Sequence, residues 1–327
     1  MNNKSQNHII FSYSFNKDGQ VSKLDNEQVA IELKNPNLSW VHLDGSNKNT
    51  KKWLLKEVNY LDSLIVDALI AEEARPRILK FKNGILLIFR GINQNHQAKS
   101  SDMVSVRMWI DDERIISIQK RPMKSIFTVE EEILNNSSVK NSGDFLNNIL
   151  EETLKNISDY IYNIGDRIDE IEHEVFSSHN IKYRDKIAQT RSQLTIFKRY
   201  SLPQKELINN IITCEYNWLN EINKRYLIES HDKIIHIIEE IDEVLGRTKI
   251  LHDELTHNLN EKINKNMFKL SMIAIIFMPL TFITSLFGMN FINIPWSNNP
   301  EGFYIICIIM FIITLIQAIL FRKNNWL

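Results

Sequence analysis

Leu270–Asn290, LSMIAIIFMPLTFITSLFGMN, decides how this chain folds. No side chain from Leu270 to Phe287 is charged. At about 1.5 Å of rise per residue, a helix over that run covers most of a hydrocarbon layer roughly 30 Å thick, so the stretch reads as a transmembrane helix. A second uncharged run, Phe303–Phe321, follows after a short segment, and two spans this close in sequence form a hairpin. Basic residues near membrane ends stay on the cytoplasmic side. Lys262, Lys265 and Lys269 precede the first span and Arg322 and Lys323 follow the second, so both termini are expected in the cytoplasm. The connection, Gly288–Gly302, carries no Lys or Arg and one acid, Glu301, which leaves little to oppose its transfer to the far side.

The first span has an uneven surface. Asn264, Met267, Leu270 or Ser271, Ala274, Met278, Thr281, Ser285 and Gly288 recur at steps of three or four, which places them on one helical face. That face is smaller and more polar than the rest. In a membrane it has two explanations: close helix packing through small residues, or the lining of a water-filled path. Pro279 decides nothing, because proline is tolerated in membrane helices when its freed carbonyl finds another partner.

Upstream of the span, Asp144–Lys269 holds one proline, Pro203, and two glycines, Gly165 and Gly246, while apolar residues recur at helical spacing amid dense charge. Ile157, Tyr160, Ile161, Ile164, Ile168, Ile171 and Val175 mark one stripe, and Leu219, Ile222, Tyr226, Ile234, Ile237, Ile241, Leu245 and Leu251 supply much of another. These are long amphipathic helices, with a corner at Ser178–Lys182 and a further helix beginning at Leu202–Pro203. No breaker stands between Arg247 and Leu270, so the last helix runs straight into the span. Unbroken from Pro203 to Phe287, it would reach roughly 125 Å.

The first 145 residues show shorter, mixed patterns. Ile9–Phe15, Trp40–Leu43, Arg77–Lys82, Ile85–Ile92, Val104–Ile110 and Ile115–Gln119 read as strands, with a hairpin turn at Asp111–Asp112. Asp25–Leu33, Thr50–Tyr60 and Ser63–Glu72 have helical spacing. The fold class is therefore an α+β cytosolic domain, a mixed sheet with helices, joined to very long α-helices and a two-helix C-terminal transmembrane hairpin. The divisions are 1–145 for the α/β domain, 146–266 for the long helices, 267–290 for the first span, 291–302 for the external loop, 303–321 for the second span and 322–327 for a basic tail.

With 327 residues, most of the chain is soluble. A net charge of -1 argues against nucleic acid as a partner. The two cysteines, Cys214 and Cys307, imply neither a disulfide framework nor a thiolate zinc site. MNNKSQNHIIFSYSF at the N-terminus lacks the apolar core of a signal peptide. The absence of a Gly-rich phosphate loop, nucleophile elbow or zinc-hydrolase motif speaks against an enzyme.

Phe277-Met278-Pro279-Leu280-Thr281-Phe282, the Gly288-Met289-Asn290 triplet closing the first of two C-terminal spans, and the basic ending Arg322-Lys323-Asn324-Asn325-Trp326-Leu327 together resemble the CorA superfamily of divalent-metal transporters. Trp40-Val41-His42-Leu43-Asp44, Glu73-Ala74-Arg75-Pro76-Arg77 and Phe89-Arg90-Gly91-Ile92-Asn93 are similar to the cytoplasmic domain of its ZntB-type zinc branch. The same short stretches have plainer readings, with Trp40 and Trp109 as core residues and Arg75 and Arg77 paired with neighbouring acids at the surface.

The resemblance implies a homopentamer in the inner membrane, shaped as a funnel, with five copies of the first span around a pore. It implies no prosthetic group, only a transported divalent cation. Gly288, Met289 and Asn290 would form the selectivity filter at the outer mouth. An amide there can hold the water shell of a cation without stripping it, which suits a hard ion that dehydrates reluctantly. The alternative is that Gly288 and Asn290 simply cap the helix. Thr281 would touch the hydrated ion, Met278, Leu270 and Met267 would form constrictions that close by dewetting, and Asn264 a polar ring below them. Core packing of these five stays open as the other reading.

The acids Asp166, Asp169, Glu170, Glu229, Glu239, Glu240, Asp242 and Glu243 read either as a solvated helix face or as a site for a regulatory cation between subunits. His231 with His236 and His252 with His257 are five apart, about 140° around a helix, so neither pair makes a ready zinc site.

The cation itself stays divided. Ile294-Pro295 and the neutral loop FINIPWSNN look like the zinc branch, whereas Met289 is the form usual in magnesium and cobalt channels of the CorA type. The zinc branch implies proton coupling, yet Leu270–Phe287 contains no ionisable side chain to carry a proton. Outside transport, the competing reading is a non-conducting, membrane-anchored coiled-coil scaffold or sensor.

Overall fold

A computed structural model of the chain describes residues 8–16, 20–72, 75–136, 139–178, 181–290, 295 and 299–323. Most of the external loop, the last four residues and the corner positions 179 and 180 lie outside the described residues. The chain divides into two units, Met1–His252 and Asp253–Leu327.

The first unit is built on a mixed seven-stranded sheet. Its strands are β1 (Ile9–Phe15), β2 (Val21–Lys23), β3 (Leu38–Asp44), β4 (Arg77–Lys80), β5 (Gly84–Gly91), β6 (Val104–Asp111) and β7 (Arg114–Gln119), arranged in the order β2-β1-β3-β7-β6-β5-β4. The β3–β7 pair is parallel and the other pairs are antiparallel. Strands β3, β7, β6 and β5 are buried along nearly their whole length, as expected of strands covered on both faces. The two edges fall to the shortest strands, β2 and β4, which leaves little unpaired backbone at either margin.

On one face, α1 (Asn26–Glu32), α2 (Lys48–Glu57) and α3 (Ser63–Ile70) cover a core that includes Val41, Leu43, Leu54, Val66, Leu69 and Ile116. Each helix starts at a polar cap. Asn47 accepts from the Asn49 amide at 2.9 Å and Asp62 from the Leu64 amide at 2.9 Å, satisfying donors that a helix start leaves orphaned. On the other face, α4 (Lys124–Asn136) and α5 (Ser142–Ser178) bring Phe127 and Phe145 against Phe11, Trp40 and His42. Trp40 and Trp109 are core residues as the sequence suggests, and the Trp40 indole donates to Ser117 Oγ at 2.8 Å. His42 Nδ1 meets the same hydroxyl at 2.7 Å. Burial holds that imidazole neutral and depresses its pKa to about 4.

The structure departs from the sequence reading in three places. Strand β2 and helix α4 are additional elements. Pro203 does not open a helix: it lies inside α6 (Arg184–Ile212), which follows a 3-10 turn at Ile181–Tyr183. An interior proline costs about 3 kcal/mol, a deficit offset here by burial of Leu194, Phe197, Leu207, Ile208 and Ile211 on both sides of it. The long helix α7 therefore begins at Glu221 and runs unbroken to Phe287, 67 residues, as the lack of a breaker between Arg247 and Leu270 requires. Arg75 and Arg77 form no ion pair among the described residues, and Glu73, one of the two acids beside them with Glu72, lies outside those residues.

Candidate functional site

Among the described residues two helices are long and apolar enough to cross a membrane: α7, through its C-terminal part, and α8 (Gly302–Lys323). In the second unit the side chains with reduced exposure fall on one stripe of each. On the uncharged part of α7 these are Met272, Ile276, Pro279, Leu280, Ile283 and Phe287; on α8 they are Gly302, Ile305, Ile306, Met310, Ile313, Thr314, Gln317 and Phe321. Steps of three and four on both helices are the pattern of one helix lying along another. The Gln317 amide donates to the Ile275 carbonyl at 3.2 Å and ties the two together. Gln317 was not singled out in the sequence, although it is the one amide in the apolar run IITLIQAILF.

The face marked out by small and polar residues is not the one α8 covers. Ala274, Met278, Thr281 and Ser285 are all exposed, and each lies two positions from a covered residue, about 160° around the helix. Met278 is 71% exposed. Farther back, Asn264, Met267 and Leu270 are exposed too, but so is every neighbour from Asn264 to Ser271, and burial singles out no face there.

Polar groups on this face are unengaged. Thr284 and Thr314 turn their hydroxyls back to the carbonyls of Thr281 and Met310, at 3.0 and 2.9 Å, as threonines in apolar helices do. Among the described residues the Thr281 hydroxyl and the side-chain amides of Asn264 and Asn290 make no such bond. At the helix end, the Gly288 amide donates to the carbonyls of Thr284 and Ser285, at 2.9 and 3.2 Å. Gly288 is not in the left-handed conformation that usually selects glycine at a helix end, and a Cβ there would lie 3.1 Å from the Thr284 oxygen. Asn290 follows directly, outside the helix and exposed.

Among the described residues some acids of the long helices form ion pairs. Arg247 pairs with Asp169 and, at 2.8 Å, with Glu172, and Lys198 pairs with Asp242 at 2.5 Å. Glu240 has its pKa raised, first by burial and then by Glu243 beside it. Among the described residues no group of three or more His, Cys, Asp or Glu is placed to hold a metal. His231 and His236 meet only the adjacent acids Asp232 and Glu239.

Residues 35–323 match the family model described as "CorA-like Mg2+ transporter protein". The chain belongs to the CorA family. Its members are divalent-cation transporters, and the mixed sheet, long helix and apolar C-terminal helix are those of the family's fold. The chain is 27% identical over 318 residues to a zinc transport protein ZntB from Yersinia enterocolitica, covering 97% of this chain and 96% of the relative. The full-length CmaX structure superposes with a TM-score of 0.82 at 24% identity, over 99% of this chain and 100% of that one. The CorA magnesium transporter of Methanocaldococcus jannaschii superposes with a TM-score of 0.81 at 20% identity, over 97% and 98%. At these identities the two structures speak for the fold, and the CorA-family assignment rests on the family model.

Proposed function

We propose that this CorA-family chain forms a homopentamer in the inner membrane, with both termini cytoplasmic, and passes a divalent cation, zinc in the first instance, along a path lined by α7. The observation that carries this reading is the open face of the helix. The small and polar residues lie among those that face away from α8, with Ile273, Phe277 and Phe282 exposed beside them, and among the described residues the Thr281 hydroxyl is unengaged. A polar group facing hydrocarbon is costly, so this face needs water or another copy of the chain in front of it. Five such faces around an axis give a wet path, with Met278, Leu270 and Met267 as apolar constrictions and Asn264 as a polar ring. At the outer mouth, Gly288, Met289 and Asn290 present carbonyl and amide oxygens to a cation that keeps its water.

The zinc preference is supported by the ZntB relative and by Ile294-Pro295 in the loop. Magnesium or cobalt is the second reading, favoured by Met289 in the triplet. Flux into proteoliposomes of Zn2+, Mg2+ and Co2+, with and without a pH gradient, separates the two. The expected result is saturable zinc entry lost in Asn290→Ala. Flux of no metal, or flux indifferent to Asn290→Ala, contradicts the proposal and leaves a membrane-anchored scaffold. Leu270–Phe287 has no ionisable side chain, so a dependence on the pH gradient would place the proton carrier outside the span.

A further inference from the structure

Proline at position 279 opens a gap in the hydrogen bonding of α7. An α-helical carbonyl accepts from the amide four residues further on, so the Ile275 carbonyl would be served by position 279, which has no N–H. The helix nonetheless stays continuous through this point, from Glu221 to Phe287. In water a freed carbonyl is solvated. Within an uncharged run in hydrocarbon it needs a donor from the protein itself.

That donor comes from α8. Gln317, 42 positions away in sequence, donates from Nε2 to the Ile275 oxygen at 3.2 Å, so the carbonyl that Pro279 orphans is the one that Gln317 meets. The threonine hydroxyls of the same helices bond locally, Thr284 to the Thr281 carbonyl and Thr314 to that of Met310, whereas the longer Gln317 side chain crosses to the other helix. Its presence has a cost, because Gln317 Oε1 is buried with no partner among the described residues. An apolar side chain at 317 would avoid that cost and would leave the Ile275 oxygen without its donor. Pro279 and Gln317 both lie on the stripes along which the two helices face each other, while Met278 and Thr281, on either side of Pro279, are exposed.

We propose that Gln317 is a positioning residue: its side-chain amide supplies the donor that Pro279 lacks and holds the turn Ile275–Pro279 against α8, with Met278 and Thr281 directed away. Proline weakens this turn twice, by deleting a hydrogen bond and by crowding its ring against the Ile275 carbonyl. Without a substitute donor the turn can bend, and Thr281 and Gly288-Met289-Asn290 beyond it would swing with the bend. Gln317 touches neither the cation nor its water and acts only through α7. Its consequence for transport rests on the function proposed above, and the bond between the helices does not.

The test is a double-mutant cycle on the full-length protein, with Gln317→Met and Pro279→Ala made singly and together. The readouts are flux of Zn2+, Mg2+ and Co2+ into proteoliposomes and melting temperature in detergent. Gln317→Met keeps the length of the side chain and removes the donor. With Pro279 in place it should lower the maximal flux of the transported ion about threefold, the factor an ordinary interhelical hydrogen bond supplies, and the melting temperature by about 2 °C. The ion concentration for half-maximal flux should not change, because Asn290 is untouched. Pro279→Ala returns an N–H to position 279, so the Ile275 carbonyl regains a partner within α7. In that background Gln317→Met should no longer lower either reading. Equal losses in both backgrounds would overturn the proposal and leave Gln317 as ordinary packing, as would no loss in either, or a change in half-saturation in place of the maximum. Absence of flux in the unsubstituted protein would overturn the transport reading and with it the positioning role, while the melting cycle still decides whether Gln317 serves the carbonyl freed by Pro279.

Discussion

The two units of the chain treat the same kinds of side chain in opposite ways. In the first, Trp40, Phe89, Phe145 and Phe197 are each less than 2% exposed, closed in by a sheet and its covering helices. In the second, Phe303, Met278 and Phe282 are 72%, 71% and 67% exposed, and each helix covers only a single stripe. Exposed apolar surface on that scale is untenable in water and ordinary in lipid. The first unit is thus organised by what it removes from water. The exposed surface of the second is mostly apolar, with the small and polar residues of α7 among it.

The contrast predicts unequal penalties for the same truncation. Trp40→Ala deletes a fully buried indole and its hydrogen bond to Ser117, and should cost about 3–5 kcal/mol in denaturant unfolding of the full-length protein in detergent. Phe303→Ala removes a side chain that contacts mainly the surrounding medium and should cost about 0.5 kcal/mol or less. Equal losses would mean that α8 is packed within a protein core.

Acid should act on the first unit through His42. Its folded pKa of about 4 lies below the unfolded value of about 6.5, so as pH falls the unfolded chain takes the proton first. Stability from this group is complete above about pH 6.5 and is lost between there and pH 4, by about 3 kcal/mol in all. Unfolding curves at pH 7 and pH 5 measure it. In His42→Gln this part of the pH slope should vanish, and an unchanged slope would assign the sensitivity elsewhere.

Glycines give a smaller version of the same contrast. A Cβ at Gly143 would lie 2.5 Å from Asn223 Oδ1 and 2.7 Å from the Trp218 carbonyl. Asn223 cannot easily yield, because its amide nitrogen donates to Asp144 at 2.7 Å and its oxygen accepts from the Asn220 amide at 3.2 Å. Gly143→Ala should cost about 1–3 kcal/mol. At Gly288 the nearest atom is 3.1 Å away and the surroundings are open, so Gly288→Ala should change the melting temperature little while reducing metal flux. A large stability loss there would make Gly288 a structural residue of the hairpin.

Much of this was legible in the sequence because the signals were local. β1 was readable end to end from IIFSYSF and its bounding turn residues, and the continuity of α7 followed from the lack of any breaker before Leu270. β2 was not, since three residues carry no periodicity. α4 carried a usable signal in Ile126, Val129 and Ile133, all buried at helical spacing, and the first 145 residues were read for strands instead. Pro203 was misread because a rule for helix starts was applied where packing on both sides overrides it. The polar face of α7 was visible in Thr281, Ser285 and Gly288, but its position away from α8 depends on which residues α8 covers, and that needs the hairpin. The burial of Arg107 was invisible for a different reason. Arg107 in VSVRMWID reads as an outward strand residue, and only the sheet register and α6 enclose it.

Whether water stands against the small, polar face of α7 can be measured directly by cysteine accessibility. In a Cys307→Ser background, with Cys214 buried and its thiol kept protonated chiefly by burial, Thr281→Cys and Phe311→Cys are reconstituted and exposed to a membrane-impermeant, water-soluble thiosulfonate. The cation-path account predicts modification at position 281, slowed by the transported metal, and none at position 311. Equal inertness at both positions would show a dry face and contradict it.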